Sequence, residues 1–186
     1  MAHRVCPWWI GYLLLSPLRR RGQDPNEVLG PHVTPGMTVL DAGCAMGFFT
    51  LELARLVGEQ GRVIAVDLQE RMLRTLAKRA ERQGVADRIE PRLCGEDDLG
   101  IDDLEGEVDF ALAFAVAHEV PDQDGFLVQI RRALQPGGRL LLSEPAGLVD
   151  EHEFGQTLAA AERVGFEIVE RPTIRRSRSV LLRKRA

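Results

Sequence analysis

Met37-Thr38-Val39-Leu40-Asp41-Ala42-Gly43-Cys44-Ala45-Met46-Gly47 is the stretch on which the reading of this chain turns. An apolar run closes on Asp41 and gives way to a turn of small residues, after which residues 48–57 show helical periodicity. A second apolar run, 62–67, closes on Asp67, twenty residues after Gly47. A strand that ends in small residues lets the backbone come close to a bound nucleoside, because bulkier side chains would hold it off. An acid ending the next strand can accept hydrogen bonds from both ribose hydroxyls. The pair of features implies a pocket for an adenosine-type cofactor at the carboxyl edge of a parallel sheet.

Working outward, Asp24-Pro25-Asn26-Glu27 reads as a helix start, with Asp24 as cap and Pro25 at the first helical position. In residues 48–57 the apolar stripe is Phe49, Leu53, Leu56 and Val57. A helix over 69–83 places Met72, Leu73, Leu76 and Ala80 on one face and stops at Gly84. Strands follow at 88–93, 108–115 and 139–143, the second of them almost wholly apolar, as a strand covered on both faces must be. The helix over 123–134 runs into Pro136-Gly137-Gly138, read as a tight turn before the fifth strand. Asp150 and Glu153 form a capping box for a helix over 151–164, and strands at 166–170 and 177–182 complete the chain. Alternating strands and helices give an α/β, doubly wound sheet. The last connection is too short for a crossover, so the final strand runs antiparallel to its predecessor.

At 186 residues and 45% hydrophobic composition, the chain suits one globular core. Residues 1–32 read as an N-terminal helical arm or lid and 33–186 as the main domain. Trp8 to Leu15 is too short to span a bilayer and is bounded by Pro7 and Pro17. Three scattered cysteines, Cys6, Cys44 and Cys94, show no metal or disulfide spacing and point to the cytoplasm. Charge is uneven. Residues 1–23 carry four basic side chains and no acid, and residues 171–186 carry seven and none. Against a net charge of −4, those eleven positive charges leave −15 on the residues between them. Such a middle repels phosphates, which weighs against a nucleic-acid partner, whereas two basic termini suit a small anionic one.

The ordered motifs resemble those of the class I S-adenosylmethionine-dependent methyltransferases, from about Asp24 to the C-terminus. Asp41, Gly43 and Gly47 match the first motif, Asp67 the second, and Cys94-Gly95-Glu96-Asp97 the third. Residues 116–122, Val-Ala-His-Glu-Val-Pro-Asp, and the turn at 136–138 match the two that follow. The resemblance implies a seven-stranded sheet of order 3-2-1-4-5-7-6. It also implies S-adenosylmethionine as cofactor and S-adenosylhomocysteine as product. By the same resemblance Asp41, Ala42, Gly43, Cys44 and Gly47 face the amino acid part, Asp67 with Leu68 holds the ribose, and Gly95, Glu96 and Asp97 reach the adenine, with Ala115 at the tip of the fourth strand. One departure stands out: Ala45 occupies the place of a frequent glycine, and its methyl could crowd the cofactor or exclude a positive φ.

Methyl transfer needs alignment and exclusion of water more than acid-base help. If the acceptor must lose a proton, His118 is the candidate base, with an ordinary pKa of about 6.5, and Glu119 and Glu144 are secondary candidates. Trp8, Trp9 and Tyr12 could close over a substrate, or anchor the arm to the core. Arg175 and Arg176, with Arg171, fall in the turn between the last two strands, where they could recognise a carboxylate or phosphate. The resulting expectation is a methyltransferase for a small molecule, working as a monomer or homodimer without a metal. An RNA or protein methyltransferase, a metalloid or thiol methyltransferase, and a silent cofactor-binding protein remain as alternatives. A nicotinamide enzyme fails because its glycine pattern, started at Gly43, needs glycine where Ala45 and Phe48 stand.

Overall fold

The computed structural model describes residues 22–185. Seven strands are present: β1 (Thr38–Ala42), β2 (Arg62–Asp67), β3 (Ile89–Leu93), β4 (Val108–Phe114), β5 (Leu134–Pro145), β6 (Phe166–Glu170) and β7 (Ser177–Lys184). They form one sheet of order β3-β2-β1-β4-β5-β7-β6. β7 is antiparallel to both neighbours and the remaining pairings are parallel. The predicted architecture is therefore the observed one.

Five helices, α1 (Pro25–Leu29), α2 (Thr50–Leu56), α3 (Glu70–Gln83), α4 (Gln123–Ala133) and α5 (Glu151–Arg163), cover the two faces. Alternation along β1 separates the faces: Val39 packs with Leu29, Leu53 and Leu76, and Leu40 packs in the cluster that holds Leu127, Ile130 and Leu158. The stripe on α3 is buried as predicted, and Gly84 closes that helix in the left-handed conformation at φ 67°. Asp24 caps α1 by accepting from the Asn26 N–H, and Asp150 with Glu153 makes the full capping box of α5. Among the described residues no helix is long and apolar enough to cross a membrane.

Two local expectations need correction. Residues 48 and 49 form turns instead of the start of α2, because the positive φ at Gly47 (80°) and the Gly47 N–H to Cys44 C=O bond at 3.0 Å curl the chain before helical bonding begins. Pro136-Gly137-Gly138 is not a turn preceding β5 but an irregularity inside it. Leu134 pairs with Val108 and Arg139 with Phe110, so several residues of β5 face Asp109 alone. Asp109 fastens this bulge. Its carboxylate accepts from Gln135 Nε2 and from the Thr38 N–H, both at 2.8 Å, linking β5 to the start of β1.

Candidate functional site

The carboxyl tips of β1, β2, β4 and β5 surround a cavity of about 380 Å³, a volume in the ordinary range for small ligands. One wall is the turn after β1. The Gly43 and Cys44 N–H groups both bond the Val66 carbonyl, at 2.9 and 3.0 Å, and the Ala45 N–H bonds Asp67 Oδ2 at 2.8 Å. Asp67 Oδ1 accepts from the Gln69 N–H, also at 2.8 Å. Asp67 thus ties the β1 turn to the end of β2 while it lines the cavity. Each carboxylate oxygen can accept twice, so acceptor capacity remains on both. Burial raises its pKa, and the two backbone hydrogen bonds act in the opposite direction.

Ala45 shows what the missing glycine cost. Its φ is 47°, so the extra methyl does not exclude the left-handed region, and Gly43 on the same turn sits at 82°. For alanine that conformation costs about 1 kcal/mol, and the bond to Asp67 holds it in place. At Gly43 a methyl group would not fit, since a Cβ there would lie 2.7 Å from Val116 Cγ2.

Asp41 lies at the floor of the cavity, 3% exposed, and accepts from Thr50 Oγ1 at 2.6 Å. Burial pushes its carboxyl up to about 7, against the Thr50 hydrogen bond, with the neighbouring Asp67 charge adding to the rise. Cys44 and Cys94 also line the space, and burial raises both thiols, Cys94 to about 11. They are inert packing groups at neutral pH. Cys6 lies outside the described residues.

The opposite wall comes from β4, β5 and the segments that follow them. Ala115, at φ 58°, Val116 and the short 3₁₀ turn Ala117–Glu119 lead away from β4, and His118 and Glu119 face the cavity. Behind them is Glu144 of β5, 1% exposed. Its Oε1 accepts from the Ala117 N–H at 2.8 Å and its Oε2 pairs with His118 Nδ1. Burial pulls the imidazole down, but the hydrogen bond and charge of Glu144, with Glu119 and Glu153, outweigh it and leave His118 raised.

Of the expected cofactor-binding residues, Asp41, Gly43, Cys44, Asp67, Leu68, Gly95, Glu96 and Ala115 line this one space. Three do not. Ala42 is fully buried in the core beneath the turn. Gly47 faces α3, where a Cβ would lie 2.4 Å from Leu76 Cδ1. Asp97 points to a separate small hollow beside Asp98, Asp122 and Gln129. Glu144 stands behind the cavity wall instead of on it. Arg175 and Arg176 do not line the cavity but are exposed on the same sheet edge. The Arg176 carbonyl accepts from the Ala146 N–H at 2.9 Å, next to Pro145 and Leu148, which do line it. Trp8, Trp9 and Tyr12 lie outside the described residues. Sequence reading missed Phe48, Phe49, Met72, Leu99, Phe126 and Leu148; apolar residues carry no signal that separates a cavity wall from a core.

These features fit a sulfonium nucleoside: a carboxylate with spare acceptor capacity on the second strand tip, a turn of small residues with no room for a methyl at Gly43, and largely apolar walls. Comparison with known proteins agrees. A methyltransferase-domain family model matches residues 33–171. The chain belongs to the class I S-adenosylmethionine-dependent methyltransferases. An uncharacterized methyltransferase of Emericella nidulans is 31% identical over 176 residues, which cover 74% of this chain and 60% of that protein. The ribosomal protein L11 methyltransferase of Pelotomaculum thermopropionicum is 33% identical over 145 residues, covering 78% and 43%. The chain thus spans roughly half the length of these curated relatives. Among solved structures, an S-adenosylmethionine-dependent methyltransferase from Aquifex aeolicus aligns with TM-score 0.84 and 25% identity, over 96% of this chain and 98% of that one.

Proposed function

We propose that this protein transfers a methyl group from S-adenosylmethionine to a small-molecule acceptor held in the cavity between the Asp67 and His118 walls. The observation that carries the reading is the continuity of that space: the cradle after β1 and the polar pair at His118 and Glu119 share one apolar-lined chamber. The cofactor supplies an electrophilic methyl on a sulfonium. Asp67 would hold the ribose hydroxyls, Asp41 and the turn from Gly43 would place the amino acid tail, and Leu68, Gly95 and Glu96 would border the base. Phe48, Phe49, Val116 and Leu148 would exclude water from the reacting atoms.

Arg175 and Arg176 supply a finer reading, in which the acceptor is anionic. Both are exposed beside the cavity mouth, and Arg176 is held at φ 60°, a strained conformation for a side chain of its size. The arm with Trp8, Trp9 and Tyr12 would close over the acceptor. The widely spaced thiols suit a reducing, cytoplasmic setting.

A second reading, transfer to a protein, is favoured by the relative that methylates ribosomal protein L11. Calorimetry with S-adenosylmethionine and S-adenosylhomocysteine tests the cofactor assignment, and absence of heat with both would overturn it. Labelled-methyl transfer into small-molecule and protein fractions then separates the acceptors. Label confined to protein would replace the first reading by the second.

A further inference from the structure

We propose that His118 and Glu144 form a proton-accepting dyad, and that the acceptor is therefore a weakly acidic molecule, a phenol or an enol, whose reacting atom loses a proton as it is methylated. The inference rests on the methyl-transfer reading and narrows its substrate. Glu144 is a fully buried carboxylate with each oxygen committed: Oε1 to the Ala117 N–H at 2.8 Å and Oε2 to His118 Nδ1. A carboxylate only accepts, so Nδ1 donates. That fixes the neutral tautomer and leaves the lone pair on Nε2, which lies 3.9 Å from Oε1 of Glu119, a residue that lines the cavity with His118.

The turn that carries the imidazole is clamped from two further elements. Gln123 Nε2 of α4 donates to the Ala117 carbonyl at 3.1 Å, and Thr157 Oγ1 of α5 donates to Gln123 Oε1 at 3.0 Å. Ala117 is therefore gripped at both its N–H and its carbonyl. A histidine with a packing role alone would direct both ring nitrogens into the protein. Here one is anchored to a buried anion and the other lies beside Glu119, on the wall of a chamber that Asp41, Asp67 and Glu96 also line.

The balance of the step follows. The acceptor X–H bond breaks, its proton goes to His118 Nε2, and the bonding pair becomes the new X–CH3 bond. The old carbon–sulfur pair stays on sulfur, which becomes a neutral thioether. His118 is the catalytic residue and Glu144 a positioning residue that also stabilises the imidazolium. The charged groups facing the ring are Glu144 from β5, Glu119 from its own turn and Glu153 from α5, and all favour the protonated form against the burial that opposes it.

Two measurements test the dyad and the substrate class. Long-range proton–nitrogen NMR on the full chain, with and without S-adenosylhomocysteine, reads the tautomer and midpoint of His118 without turnover. The expected result is a proton on Nδ1 and a bare Nε2 at high pH, with a midpoint above that of a free histidine that falls in Glu144→Gln. A proton on Nε2, or a midpoint indifferent to Glu144→Gln, overturns the dyad. Catechol and acetylacetone are then compared as acceptors with trimethylamine and dimethyl sulfide. Transfer is expected to the first pair, with kcat reduced about 100-fold in His118→Gln at little change in KM. Transfer confined to the second pair, or to the first pair and untouched by His118→Gln, overturns the substrate class. Absence of calorimetric heat with S-adenosylhomocysteine would instead sink the underlying methyl-transfer reading, leaving the NMR result to stand separately.

Discussion

The cavity wall built by β1 and β2 holds its shape through backbone groups, whereas the wall built by β4 and β5 holds its shape through side chains, with Glu144 buried at their centre. On the first wall, Gly43, Cys44 and Ala45 offer N–H groups to Val66 and Asp67, and the work depends on small residues at unusual φ. On the second, Glu144 joins His118 to the Ala117 N–H, and Gln123 holds the Ala117 carbonyl. The difference separates two tasks. A wall defined by main chain tolerates little change and suits a ligand of fixed shape. A wall defined by side chains can be rebuilt residue by residue, and suits the part of the site that differs between enzymes sharing a cofactor.

The sharpest way to break this contrast is Gly43→Ala, since Gly43 is where the walls touch. The added methyl meets Val116 Cγ2 at 2.7 Å on a residue at φ 82°, and the combined strain is expected to cost about 3 kcal/mol in chemical denaturation. A loss below about 1 kcal/mol would show that the turn is softer than its hydrogen bonds imply.

Next is Asp41→Asn, read as stability against pH. The folded pKa of about 7 lies above the usual 3.8, so between those values the native state keeps a proton that the unfolded chain has released. Stability from this group is fully present below about pH 4 and declines as pH rises toward 7. Removing the group should make the variant gain on the parent by about 2–3 kcal/mol between pH 5 and 7, at 1.36 kcal/mol per pKa unit. Parallel melting curves across that window would contradict the burial of a titrating carboxyl on the cavity floor.

Asp67→Asn probes the first wall as a binding surface. Replacing one carboxylate oxygen by an amide NH2 sets a donor against either the Ala45 or the Gln69 N–H, and would weaken the proposed ribose contact. S-adenosylhomocysteine affinity measured by calorimetry should fall about 10- to 30-fold, on the order of 2 kcal/mol. The smallest effect belongs to Ala45→Gly. Relief of the left-handed strain is offset by the greater freedom of glycine in the unfolded chain, so the melting midpoint should move by the equivalent of less than about 0.5 kcal/mol.

The two walls also differed in how far the sequence disclosed them. The β1 turn and Asp67 were legible because backbone proximity demands small residues in a fixed order, and an acid that ends an apolar run has few other reasons to be there. His118 and Glu119 could be placed only at the end of β4, and Glu144 stood as a secondary candidate because nothing in the chain ties residue 144 to residue 118. Glu96 and Asp97 could not be told apart in the loop after β3, where Glu96 lines the cavity and the Asp97 carbonyl accepts from Gln129 Nε2. The bulge at 135–138 was invisible because Pro-Gly-Gly is as good a signal for a turn as for an irregular strand.

Periodicity, caps, a short last connection and the order of small and acidic residues determined the alternation of strands and helices, the antiparallel last strand and the edge that holds the site, since these follow from local chemistry repeated along the chain; the strand order was implied only by the family resemblance. Tertiary structure alone decided that Glu144 grips His118, that Val116 closes on Gly43, and that Ala45 adopts a glycine-like φ under the hold of Asp67. Each joins residues from different strands whose meeting depends on sheet register, a property of the packed whole and not of any segment.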